Sequence, residues 1–140
     1  MTLTTEISEP LRKVIRSSWF TIDTGIFVYT KVRQVENADK HLLVIRDRNE
    51  ITVVTDETNL PFSGDYETNK EKWKLINIRC GNPFYCVGFI AAITGALAEA
   101  GIDIVLTSSF SNDLVLVMEN DLEKSIEVLK EIGFSERVSG

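Results

Sequence analysis

"VGFIAAITGALAEAGIDIVLTSSFSND", residues Val87 to Asp113, sets a helix-length apolar run, a glycine, an apolar strand and a polar knot in direct succession. From about Val87, the residues Ile90, Ile93, Ala96 and Leu97 follow helical spacing, and Gly101 supplies a left-handed stop. Ile102, Ile104 and Leu106 then alternate with Asp103, Val105 and Thr107, the period of a strand. That strand ends in Ser108, Ser109, Ser111, Asn112 and Asp113, and Asn112-Asp113 is turn chemistry before a further strand, "LVLVM". The cluster is either an ordinary turn or a set of polar groups presented to a ligand.

The flanks extend the pattern. Upstream, "WKLINIRC" (Trp73 to Cys80) places Ile76, Ile78 and Cys80 on one face and Asn77 and Arg79 on the other, and "GNP" breaks the strand. Downstream, Asn120 with Glu123 three residues on reads as a capping box. Leu122, Ile126, Leu129 and Ile132 line one helix face, Gly133 ends it, and "FSERV" suits a short last strand. The order βαββαβ, with both helices returning to one face of a mainly antiparallel sheet, predicts an α+β fold of the ferredoxin-like type. The crossover helix then opens at the end of the module where the second strand stops. Backbone N–H groups and strand-end hydroxyls are expected to share one pocket there.

The N-terminal half is less regular. Ser8, Glu9 and Pro10 with Leu11, Val14 and Ile15 predict a short capped helix. "GIFVYTKVRQ" reads as a strand, and "HLLVIRDRNEITVVTDE" as a hairpin with Asp47, Arg48 and Asn49 at its tip. "TNLPFSGDYETNKEK" is loop-like. The expected organisation is two ferredoxin-like modules side by side: a degenerate one at residues 1–72, its helices worn down, and a regular one at residues 73–140.

Composition narrows the function. The 140 residues are 44% hydrophobic and 26% charged, as in ordinary globular proteins. A formal charge of −6, with the basic residues scattered, argues against nucleic acid as a partner. No run of 18 apolar residues is present, and the start lacks a signal-peptide pattern, so neither a membrane partner nor secretion is expected, and the cytoplasm is the expected location. Cys80 and Cys86 fit no zinc spacing and His41 is remote, so no metal or other cofactor is expected. Cys86, near a helix start, is either a small half-apolar residue or an activated thiol, the latter needing a base. No phosphate loop or catalytic triad order appears, and the chain does not read as an enzyme.

"FYCVGFIAAITGALAEAGIDIVLTSSFSNDLVLV" (Phe84 to Val117) resembles the small tandem ACT-domain proteins, whose second module typically reads DFSLTGILAxIxxPLAEAGISIFxxSTYDTDYVLV. The likeness runs more loosely over residues 20 to 134, and the CASTOR arginine sensors look like longer relatives. It implies a non-catalytic regulatory module that binds a small molecule, usually an amino acid, where two ACT units meet. A homodimer is also expected, because exposed strand edges and the second apolar face of Leu114–Met118 ask for a partner. By position, Phe84 and Gly88 match the family's phenylalanine and glycine, and Ser108, Ser109, Phe110 and Asp113 its S-T-Y/F-x-x-D stretch. Pro83, Cys86, Ser111 and Leu114 depart from the pattern.

A zwitterion requires donors for its carboxylate and acceptors for its ammonium. The N–H groups around Val87, Gly88 and Phe89 at the helix start suit the first. Asp113 with Ser108 and Ser109 suits the second, and Phe84 and Phe110 suit the walls. Each also has a plain structural reading: Gly88 in tight packing, Asp113 in the turn, the serines as local caps, and the rings in a core or interface. A structural or oligomerisation module with a vestigial pocket is the alternative function.

Overall fold

The computed structural model describes residues 7–138. In chain order, the elements are helix α1 (Glu9–Arg16), strands β1 (Trp19–Ile22), β2 (Phe27–Val32), β3 (Leu43–Arg46), β4 (Ile51–Asp56), β5 (Tyr66–Thr68) and β6 (Trp73–Arg79), helix α2 (Phe89–Glu99), strands β7 (Ile104–Ser108) and β8 (Asp113–Met118), helix α3 (Leu122–Ile132) and strand β9 (Ser135–Glu136). The class is mixed α+β, and β6-α2-β7-β8-α3-β9 is the predicted βαββαβ order. Two compact units result, one of residues 7–23 and 74–138, the other of residues 24–73.

In the first unit the strands lie in the order β7, β8, β6, β1, β9. The pairs β7/β8 and β1/β6 are antiparallel, and β1/β9 is parallel. Residues 7–23 thus pack with 74–138 although the sequence modules were drawn at 72/73, because their apolar side chains belong to that unit's core. Leu11, Val14, Ile15 and Phe20 join Ile76, Ile78, Ile93, Leu97, Val115, Val117 and Leu129 in one buried cluster. Each such aliphatic or aromatic side chain contributes about 1.5–3 kcal/mol by leaving water. Helix α1 forms as expected, with the Leu11 N–H donating to the Ser8 hydroxyl at 3.4 Å.

Two local expectations change. Helix α2 buries Ile93 and Leu97 as expected, together with Phe89 and Ala92, whereas Ala96 is half-buried and Ile90 is exposed. A segment apolar on every side does not announce which stripe faces the core. Asn120 is not the cap of α3: residues Glu119–Asp121 form a 3-10 turn and Asp121 takes the cap position without a side-chain hydrogen bond. The stop of α2 is as read, with the Gly101 N–H donating to the Ala98 carbonyl at 2.9 Å and the Ile102 N–H to the Leu97 carbonyl at 3.0 Å.

The second unit carries β2, β3, β4 and β5 and no α-helix, with β2 paired to both β4 and β5 and β3 on the far side of β4. Strand β5 lies within the stretch read as loop. The hairpin tip is as expected: Asp47 Oδ1 accepts from the Asn49 and Glu50 N–H groups at 2.7 and 2.9 Å. Val28, Val32, Val53 and Val54 are buried there, and the buried Thr30 hydroxyl donates to the Val53 carbonyl at 2.8 Å.

Candidate functional site

The site begins with how the loop after β6 is tied down. The Ser18 hydroxyl is buried, donates to the Val14 carbonyl at 2.7 Å, and accepts from the Gly81 N–H at 2.8 Å. The Ser17 hydroxyl donates to the Val14 carbonyl at 2.8 Å and accepts from the Asn82 N–H at 3.2 Å. Gly81 is required because a Cβ there would stand 2.6 Å from the Ser17 carbonyl oxygen. The end of α1 thereby fixes where the loop departs from the sheet.

The loop then presents aromatic surface and opens a helix. Phe84 and Tyr85 meet edge to face at 4.8 Å between ring centroids, and the Arg79 guanidinium lies 5.8 Å from the Phe84 centroid. Gly88 has φ 91°, a left-handed backbone that favours glycine, and begins α2 with no side-chain cap. The first turn of α2 contains no acidic residue. The Phe89 N–H donates to the Cys86 carbonyl at 3.2 Å, and the later N–H groups of the first turn, with the positive dipole end, suit an anion. Phe89, the first helical residue, is buried and packs edge-on against Phe134, with centroids 5.7 Å apart.

Facing this is the β7–β8 hairpin. Ser108 and Asp113 pair across the ladder, and the Ser108 hydroxyl donates to Asp113 Oδ1 at 2.6 Å. The Ser109 N–H donates to the Asn112 carbonyl at 2.8 Å, and the Asn112 N–H to the Ser109 hydroxyl at 3.2 Å. The turn closes on itself and leaves Phe110 97% exposed at its tip.

Between loop and hairpin lies a cavity of about 300 Å³, at the lower end of the size of small-molecule clefts. Its walls include Phe84, Phe89, Ser108, Ser109, Phe110 and Asp113, six of the eight residues expected from sequence. Val87 and Gly88 are not among them: Val87 is 99% exposed, and a Cβ on Gly88 would meet Leu11 Cδ2 at 3.2 Å, so that glycine serves packing against α1. The remaining lining comes from Cys80, Tyr85, Cys86, Ile90, Ser111 and Asn112. Tyr85 and Ile90 flank expected positions in sequence, which is the signal that would have found them. Ile90 has another reading in the sequence, as part of the helix core.

The cysteines differ. Burial raises the pKa of Cys80, helped by Cys86 and Asp113 nearby and opposed by a hydrogen bond with Ser18. Cys80 is therefore a neutral wall at ordinary pH. Cys86 is half-buried, and its Sγ lies 3.7 Å from the Val87 carbonyl, an acceptor rather than an activating base. Among the described residues no group of three His, Cys, Asp or Glu side chains clusters to hold a metal, and no helix is long and apolar enough to cross a membrane.

The second unit offers less to a ligand. Its hollow beside His41 and Phe62 is about 20 Å³, room for a water. The cleft along Lys31 and Glu67 is wider, but those two charges already pair at 3.1 Å.

Residues 69–131 match the family model described as ACT domain. Among solved structures, the fold is similar to a protein of unknown function from Vibrio cholerae described as a possible transport protein: 19% identity, TM-score 0.75, covering 89% of this chain and 97% of that one. It is also similar to a protein from Agrobacterium tumefaciens, at 20% identity and TM-score 0.71 over 88% of this chain and 94% of that one. The ligand-free regulatory subunit of aspartate kinase from Thermus thermophilus is similar at 11% identity and TM-score 0.56, over 81% of this chain and 95% of that one. No curated protein sequence matches this chain. At these identities the structural likeness is one of fold, and the likeness to the ACT domain rests on residues 69–131, the segment that the family model matches.

Proposed function

We propose that the protein is a non-catalytic regulatory module that binds an amino acid, or a metabolite with the same head group, in the cavity between the 82–88 loop and the β7–β8 hairpin. The observation that carries the reading is the convergence of an uncapped helix start, a carboxylate and aromatic walls on one cavity of about 300 Å³. The ligand carboxylate meets the first turn of α2, and its ammonium meets Asp113, whose Oδ1 is already oriented by Ser108. Charge-assisted hydrogen bonds of about 1.5–3 kcal/mol each make micromolar affinity reachable with three or four contacts.

In this reading residues 73–140 are the ligand module and residues 1–72 a reduced tandem partner, with residues 7–23 lending a helix and a strand to their neighbour. A second copy of the chain closes the open side of the cavity. Tyr85 and Phe110 on its walls and Val87 in the adjoining loop are 86%, 97% and 99% exposed, a concentration of large apolar side chains that supports a homodimer seam. The same exposure favours the rival reading, an oligomerisation module with a vestigial pocket.

Thermal-shift screening against the twenty amino acids separates the two by mass action. A selective stabiliser whose effect is lost in Asp113→Asn supports the sensor. No stabiliser at millimolar concentration, with a stable oligomer by sedimentation, supports the rival.

A further inference from the structure

We infer that the ligand is an α-amino acid with an uncharged side chain. The inference rests on the proposed reading of the cavity as an amino-acid site, and follows from counting the charges that the walls can answer. The lining residues carry one formal charge, the Asp113 carboxylate, and no lysine, arginine or histidine. Asp113 answers the ammonium and the start of α2 answers the carboxylate, so the head group uses the one formal charge of the wall.

What remains to surround the side chain is aromatic rings, one aliphatic chain, two thiols and the uncharged polar groups of Ser109, Ser111 and Asn112, with Cys80 held in its neutral form by burial. A second cation on the ligand would find no second carboxylate, and a second anion would find no basic side chain. An unpaired charge placed against such walls loses its water without compensation. Arg79 is no remedy, because it is exposed, does not line the cavity and sits against the Phe84 ring, 5.8 Å from its centroid. The volume of about 300 Å³ suits one amino acid rather than a nucleotide-sized molecule.

Calorimetric titration of the full chain with L-phenylalanine, L-leucine and L-methionine, against L-glutamate, L-lysine and L-arginine, tests this. Each titration is paired with iodoacetamide labelling of Cys86 read by mass spectrometry, since a ligand in the cavity covers that thiol. The neutral set is expected to bind at least about tenfold more tightly, a difference of about 1.4 kcal/mol, and to protect Cys86. Glutamate, lysine or arginine binding as tightly with Cys86 protected would overturn the side-chain inference and leave the site standing. No binding by any of the six, or binding without protection, would overturn both. Tyr85→Lys, at a position 86% exposed and so without consequence for folding, is expected to shift preference toward glutamate. An unchanged preference would contradict the assignment of this wall.

Discussion

Gly81→Ala tests how the candidate site is held in place. A Cβ on residue 81 would stand 2.0 Å from Ser17 Oγ, 2.6 Å from the Ser17 carbonyl oxygen and 2.7 Å from its carbonyl carbon. The hydroxyl can rotate, giving up its bonds to the Val14 carbonyl and the Asn82 N–H. The carbonyl belongs to the residue that ends α1 and has no such freedom. Residue 81 must therefore retreat, and its own N–H bond to the Ser18 hydroxyl is stretched. Two or three hydrogen bonds at about 1 kcal/mol each, with about 1–3 kcal/mol of overpacking, give an expected loss of about 3–6 kcal/mol. That is a large share of the 5–15 kcal/mol typical of a domain. Urea unfolding reads it, with Gly64→Ala as the control, because a Cβ there comes no closer than 3.8 Å to Glu36 Oε1. A Gly81→Ala protein within about 0.5 kcal/mol of wild type would refute the anchoring argument.

Asp113→Asn is expected to weaken amino-acid binding about ten- to a hundredfold, from the loss of a charge-assisted bond of roughly 1.5–3 kcal/mol, read by calorimetry. Phe110→Asp, at a tip 97% exposed, is expected to leave unfolding stability within about 0.5 kcal/mol while converting dimer to monomer in sedimentation. The raised Cys80 pKa has a signed consequence: above the ordinary thiol range, about pH 8.5, the unfolded chain releases a proton that the folded one keeps. Stability is then expected to fall as pH rises through that range, less steeply in Cys80→Ala, and parallel pH profiles of the two proteins would contradict this.

The parts of the fold written in local periodicity were legible. The run from Trp73 to Met118 announces its strands and helix, and "LAEAGI" its turn, because alternation and a glycine stop are properties of neighbouring residues. Strand β1 was not legible: Trp19–Ile22 is four residues long, and its place between β6 and β9 depends on distant partners. Strand β5 is three residues in a stretch dominated by turn formers. The buried stripe of α2 was partly misread because the helix meets the core on one side and the apolar cavity wall, through Ile90, on another. For the site, the hairpin residues and Phe84 follow from the strand order, which brings loop and hairpin to one end. Gly88 does not line the cavity, and a Cβ there would meet Leu11 Cδ2 at 3.2 Å, while Gly81 drew notice only as a strand breaker. Its real constraint comes from Ser17, far upstream in the chain.

The proposed site stands on one juxtaposition, the donor-rich opening of α2 opposite the carboxylate of Asp113. Crystals grown with the amino acid that stabilises the protein most test it directly. The account predicts density for a single ligand, its carboxylate at the first turn of α2 beside the Ile90 N–H and its ammonium on Asp113. A cavity filled by Phe110 or another protein side chain, with the amino acid bound elsewhere, would contradict it.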